Sequence, residues 1–177
     1  MSDVSPDSAR VIPVPAGPPT RGVVFVHACR RAFAPHLESF LHAALGRIDR
    51  VDWVVQPLMP GMWCADIAWR GPAGSAAAVM SQMLRIPGIF AEATQEPTAT
   101  TAGMRYALTP ELGLWSSATD AHGNSVLNEA QIRSAMQQPV EQIPLRLAQL
   151  LGEPWDAVLE PLRASAQRPP APLVRVV

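Results

Sequence analysis

Along residues 22–97 the spacing of apolar positions switches between a strand period and a helix period, and spells strand, helix, strand, then strand, helix, strand. Val23–Ala28 is apolar almost throughout, as expected of a central strand buried on both faces. Pro35 suits the first position of a helix. Its inner face carries Leu37, Phe40, Leu41, Ala44, Leu45 and Ile48 at three- and four-residue spacing, and Gly46 is placed to stop it. Val51–Leu58 reads as a strand, Pro60-Gly61 as a tight turn and Met62–Trp69 as the hairpin partner. Ser75 then N-caps a second helix that buries Ala76, Val79, Met80, Met83 and Leu84. Ile89–Glu96 closes the unit as an edge strand, with Glu92, Thr94 and Glu96 pointing outward. The pattern is βαββαβ, a ferredoxin-like sandwich of the α+β class with the first and third strands at its centre.

Residues 1–21, rich in proline, read as a flexible leader, and residues 167–177 as a loose tail. Between 98 and 166 the chain predicts a β-hairpin, Arg105–Leu108 with Leu114–Thr119, followed by a turn at Ala121–Asn124 and then helices. Asn128 with Gln131 forms a capping-box signature, and Gly152 separates the last two helices. Helices of a ferredoxin-like unit cover one sheet face only, yet the central strands are apolar on both sides. The C-terminal hairpin and helices are the expected cover for the other face, with a second copy of the chain as the alternative.

Composition narrows the chemistry. All 14 basic residues are arginine, which removes a Schiff-base lysine, a phosphate-loop lysine and a lysine general base. A net charge of -1 without a basic stripe argues against nucleic acid as partner. Cys29 and Cys64 are too few for a disulfide framework, the first residues lack the apolar segment of a secretory signal, and no apolar run is long enough for a membrane span. A cytoplasmic protein without membrane association is the expectation.

The candidate site is the segment from His27 to His36, read as a loop that follows a central strand and opens onto a helix N-terminus. Arg30 and Arg31 would complete a phosphate or carboxylate site there, with His27 and His36 at its ends. Acylphosphatases hold phosphate in this way on the same fold, but they also need an asparagine on the third strand, and Met62–Trp69 has none. The competing reading is a solvated arginine pair. His27, His36, His42, Cys29 and Cys64 lack the spacing of a metal site, and no cofactor motif occurs. No nucleophile-elbow motif is present, and Asp120-Ala121-His122-Gly123-Asn124 is explained by turn chemistry.

Several strings carry a family resemblance: Gly22-Val23-Val24-Phe25-Val26-His27, Ala34-Pro35-His36-Leu37-Glu38, Trp69-Arg70-Gly71-Pro72-Ala73-Gly74, Arg105-Tyr106-Ala107-Leu108-Thr109-Pro110-Glu111-Leu112-Gly113-Leu114 and Trp155-Asp156-Ala157-Val158-Leu159-Glu160-Pro161. Together they resemble the actinobacterial domain of unknown function family numbered 3145, over roughly residues 21–166. The resemblance implies a bacterial cytosolic protein with a link to fatty-acid metabolism, and it brings no catalytic residue or cofactor. The chain departs from the family at Cys29-Arg30-Arg31, where relatives carry a proline-containing loop.

The expected function is a non-enzymatic binding or regulatory module for a protein partner, a second copy of itself, or a small acidic metabolite. The alternative is a small acyl- or phosphoryl-hydrolase-like enzyme using the His27–His36 segment.

Overall fold

A computed structural model describes residues 17–45 and 47–166. Most of the leader, the tail and the helix stop assigned to Gly46 lie outside the described residues. The elements in chain order are β1 (Pro19–Arg30), a 3-10 turn (Arg31–Phe33), α1 (Ala34–Leu45), β2 (Arg47–Ile48), β3 (Val54–Val55), β4 (Met62–Pro72), α2 (Ser75–Met83) and β5 (Phe90–Gln95). They continue with β6 (Gly103–Thr109), β7 (Gly113–Thr119), β8 (Ser125–Val126), α3 (Glu129–Met136), a 3-10 turn (Val140–Gln142), α4 (Ile143–Leu151) and α5 (Glu153–Ser165). The fold is α+β. Among the described residues the strands form one antiparallel sheet in the order β2-β4-β1-β5-β6-β7-β8, with β3 also paired to β4.

Five expectations are corrected. The strand ending the first unit is not an edge: Ala93 of β5 stands opposite Val24 on one side and Tyr106 on the other. The β6–β7 hairpin therefore lengthens the sheet instead of covering its face, which satisfies the backbone groups an edge strand would leave unpaired. The segment expected as a strand at Val51–Leu58 pairs only through Val54 and Val55, and Ile48 belongs to β2 rather than to the helix before it. Pro57 has no N–H to continue the ladder, and Gln56 instead donates its backbone N–H to Met62, closing the turn. Pro19–Arg21, placed in the leader by their proline content, are the first residues of β1.

One sheet face packs on α1 and α2. Val24, Val26, Ala65, Ile67, Trp69, Ala91 and Ala93 meet Leu37, Leu41, Leu45, Val79, Met80 and Met83 there. The second face is covered in part by α5, whose Leu159 and Leu162 close on Ala28, Ala107 and Trp115. Each leucine so buried contributes about 1.5–3 kcal/mol. Gln56 fastens the C-terminal end of α5: it is 1% exposed, donates to the His27 carbonyl at 2.7 Å and accepts from the Ser165 hydroxyl at 2.7 Å. At the start of α5, Gly152 has φ 85° and lies so close to the Trp115 ring that an added Cβ would sit 2.7 Å from it.

A bulge in β1 decides where its side chains point. Val26 pairs with Ala65 and Cys29 with Trp63, so His27 and Ala28 together oppose Cys64. The extra residue breaks the alternation. Val24, Val26 and Cys29 face α1 and α2, while Ala28 joins the cluster beneath α5.

Candidate functional site

The His27–His36 segment is not an open loop. β1 continues through Arg30, a 3-10 turn follows, and α1 begins at Ala34. His27 lies in the bulge and is 3% exposed. Arg30 and Arg31 are exposed neighbours, with the Arg31 guanidinium 4.6 Å from the centre of the Trp63 ring. His36 is exposed and meets Phe40 edge-on at 6.1 Å. The fold thus leaves the two arginines at the surface, gives one of them an aromatic partner, and removes His27 to the α5 side.

On that side His27 enters a buried polar network. Its Nε2 lies 2.6 Å from Oε2 of Glu92. Arg163 on α5 donates to both Glu92 oxygens, at 2.8 and 2.7 Å, and Arg105 on β6 donates to Oε1 at 2.9 Å. Asp156, also on α5, accepts from both arginines. Burial alone would raise the Glu92 pKa, but hydrogen bonds from His27 and Arg163, reinforced by their charges, hold it well below the usual carboxylate range. The network locks α5 to the sheet. It leaves His27 and Glu92 buried, at 3% and 6% exposure.

The thiols are likewise withdrawn. Cys29 and Cys64 are both buried, and desolvation, with the neighbouring thiol adding to it, pushes Cys29 up to about 12. Among the described residues no group of three or more His, Cys, Asp or Glu is placed to hold a metal, and no helix is long and apolar enough to cross a membrane.

Where α5 ends its cover, the second sheet face stays open. A cleft of about 780 Å³ crosses this end of the sheet from Arg70 and Asp49, past Arg21, Val23, Ala68 and Thr94, to Arg105 and the Asp120–Gly123 turn. Its floor is made of small side chains. One register row defines its character: Arg21 of β1 is the direct partner of Arg70 of β4. Directly paired residues share a face, and like charges so placed repel. Arg21 is neutralised by Glu96 at 2.7 Å. Arg70 makes no ion pair among the described residues, although Asp49 lines the same end of the cleft.

At the far end Asp120 folds the turn, accepting from the backbone of His122 and Asn124 and from the Asn124 amide. The Asn124 hydrogen bonds hold its carboxyl below the ordinary value. His122 stands 85% exposed beside it.

The arginine row escapes a reading of sequence because Arg21 lies in a proline-rich stretch and Arg70 at a strand end, far apart along the chain. Only the register joins them. A usable signal exists all the same: both flank glycine-containing strand ends, Arg21-Gly22 and Arg70-Gly71, where a close backbone approach is built.

A family model described as "Protein of unknown function (DUF3145)" matches residues 23–175. No curated protein and no solved structure matches the chain.

Proposed function

We propose that this chain, which belongs to the DUF3145 family of proteins of unknown function, is a non-enzymatic binding module that takes a small acidic metabolite into the cleft at the open end of its sheet. One observation carries the reading. Two arginines face each other across the β1–β4 ladder and only one is neutralised by a carboxylate. An anion between them removes the repulsion and gains charge-assisted, bidentate hydrogen bonds. The cleft floor supports this use, since Val23, Ala68 and Thr94 leave room above the sheet. We read the unit from β1 to β5 as ferredoxin-like, extended at one edge by β6–β8, and take the protein to act in the cytoplasm.

The hydrolase alternative has less support. His27 and Glu92 are buried and do not line the cleft, both thiols are enclosed, and Arg31 rests on Trp63. Calorimetric titration of the full chain with citrate at low ionic strength tests the binding reading. Saturable binding that weakens at least tenfold in Arg70→Gln is expected; equal binding by the variant, or none by the natural protein, overturns it.

The expectation of a second copy has its own observation. No residue of α4 is fully buried, and Ile132, Met136, Val140 and Leu145 are 42%, 69%, 81% and 60% exposed on the α3–α4 arm. Glu129 and Arg133 share the face of α3 that carries Ile132 and Met136, so an antiparallel copy sets Glu129 against Arg133 of the partner subunit. Light scattering should then give twice the 19.0 kDa chain mass, reduced to one chain by Ile132→Glu; a natural protein that stays single at high concentration excludes this arrangement.

A further inference from the structure

We infer that the open edge of β7 takes an extended segment of a partner protein as a further strand, with an acidic side chain of that segment seated against Arg146. This site is separate from the arginine cleft and does not depend on it. Pro110 has no N–H to extend the β6–β7 ladder, so the hydrogen-bonded pairs are Thr109 with Gly113, Ala107 with Trp115 and Arg105 with Ser117. The backbone N–H and C=O groups of Leu114, Ser116 and Ala118 therefore point away from β6. The outer edge shows the same parity: Asp120 donates its N–H to the Asn124 carbonyl at 3.0 Å, and Ala118 pairs with Val126 of β8. There the cover ends. β8 is two residues long, and at Asn128 the chain turns into α3, held by the capping box with Gln131. Leu114 and Ser116 have no backbone partner on this side among the described residues, and Ser116 is exposed. Each keeps a ladder donor and acceptor unused, which is the template for an added strand.

What lies beside this edge sets the chemistry of the guest. A groove of about 380 Å³ runs from Leu112 and Ser116 to α3, α4 and the start of α5. Its apolar wall includes Leu150 and Trp155, whose indole N–H is fixed on the Gly113 carbonyl at 2.9 Å. Its polar wall is rich in donors. Gln131 spends its amide oxygen on the Asn128 N–H at 2.9 Å, and Gln149 spends its own on Nη1 of Arg146 at 3.3 Å, so each keeps its amide NH2 for a guest. Arg146 makes no ion pair among the described residues, and no Asp or Glu among them lines the groove. A strand added to this edge pairs with Leu114 and Ser116, and its central residue stands opposite Trp115. Directly paired residues share a face, so that side chain enters the groove that Trp115 lines. A glutamate there lays its methylenes along the apolar wall and brings an acceptor-only carboxylate to donors that no acid of the lining satisfies. Its neighbours fall on the opposite face, where β-branched side chains suit a strand.

The probe is the peptide acetyl-Thr-Val-Glu-Val-Thr-amide, titrated into the full isotope-labelled chain at low ionic strength and followed by heteronuclear NMR. Its controls are acetyl-Thr-Val-Gln-Val-Thr-amide, which lacks the charge, and acetyl-Glu-amide, which lacks the strand. Saturable shifts are expected at the Leu114 and Ser116 amides and at the Trp155 indole, with binding about tenfold weaker for either control. Arg146→Gln, a change at an exposed side chain, should remove the preference for the glutamate peptide and leave the Ser116 shift in place. Ser116→Pro deletes the outward N–H without touching a bond to β6 and should abolish binding of both peptides. The peptide comparison on the natural protein and on Arg146→Gln decides alone if that variant does not fold. Equal binding of the two peptides by the natural protein, a preference that survives in Arg146→Gln, or acetyl-Glu-amide binding as tightly as the pentapeptide overturns the inference. Shifts confined to the Arg21–Arg70 cleft, or no saturable shift, overturn it as well.

Discussion

Arg21 and Arg70 face each other directly across the β1–β4 ladder, each the register partner of the other. Cross-strand pairs of like charge cost stability, of the same order that opposite charges contribute. Glu96 relieves one member of the pair, leaving an uncompensated guanidinium over a small-residue floor. The proposed anion would relieve this pair.

Exchanging one charge separates stability from binding. Arg70→Glu replaces a repulsive pair by an attractive one and should stabilise the fold by about 0.2–1 kcal/mol, seen as a higher melting temperature, while abolishing citrate binding. A variant both less stable and unaltered in binding would count against the role given to this pair.

Asp49 lines the same end of the cleft and repels an incoming anion. Asp49→Asn should therefore tighten citrate binding about two- to fivefold at low salt, and the gain should fade as ionic strength shortens the screening length. Calorimetry at two salt concentrations checks both parts.

Glu92 is the hub of the network that holds α5. Glu92→Gln leaves Arg105 with Asp156, and Arg163 with Asp156 and Glu160, and should cost about 3–5 kcal/mol in denaturant unfolding, as for the loss of one partner from a buried ion pair. The pH dependence follows from its lowered pKa. The folded protein keeps Glu92 ionised to lower pH than the unfolded chain does, so its stabilisation is fully present above the unfolded carboxylate pKa of about 4.3. It is lost progressively as the pH falls from there through the folded value. Unfolding curves between neutral pH and strong acid should show this loss in the natural protein and not in Glu92→Gln.

Cys29 gives the opposite sign. Its pKa is raised to about 12 by burial, so the folded state holds the thiol proton more tightly than the unfolded chain. That contribution is complete below the unfolded thiol value of about 8.5 and disappears as the pH rises toward 12. In native protein near neutral pH neither cysteine should react with a disulfide reagent, and both should react in denaturant. Rapid labelling of folded protein would contradict the burial.

Much of the architecture was legible because it depends on local period and punctuation. The apolar run of β1, the spaced leucines of α1 and the reciprocal Asn128–Gln131 capping box all stand where the sequence puts them. What failed depended on distant partners. Glu92 and Thr94 look like the polar side of an edge strand. Glu92 instead faces Arg105 and Arg163 beneath a covering helix, and no local pattern announces those arginines. His27 seemed to open a loop, but β1 runs on through Arg30, and strand alternation sets His27 on the Phe25 face beside Glu92. Arg30 and Arg31 drew attention by being adjacent in sequence, whereas Arg21 and Arg70 are adjacent only in the sheet.

The most direct test of the anion cleft is a heteronuclear NMR titration of the full, isotope-labelled chain with pyrophosphate at low salt, which locates an anion without presuming its identity. Saturable backbone shifts concentrated at Arg21–Val23, Ala68–Arg70 and Thr94–Glu96 are expected, and their loss in Arg70→Gln. Shifts confined to Arg30–Ala34, or no saturable shift anywhere, would contradict it.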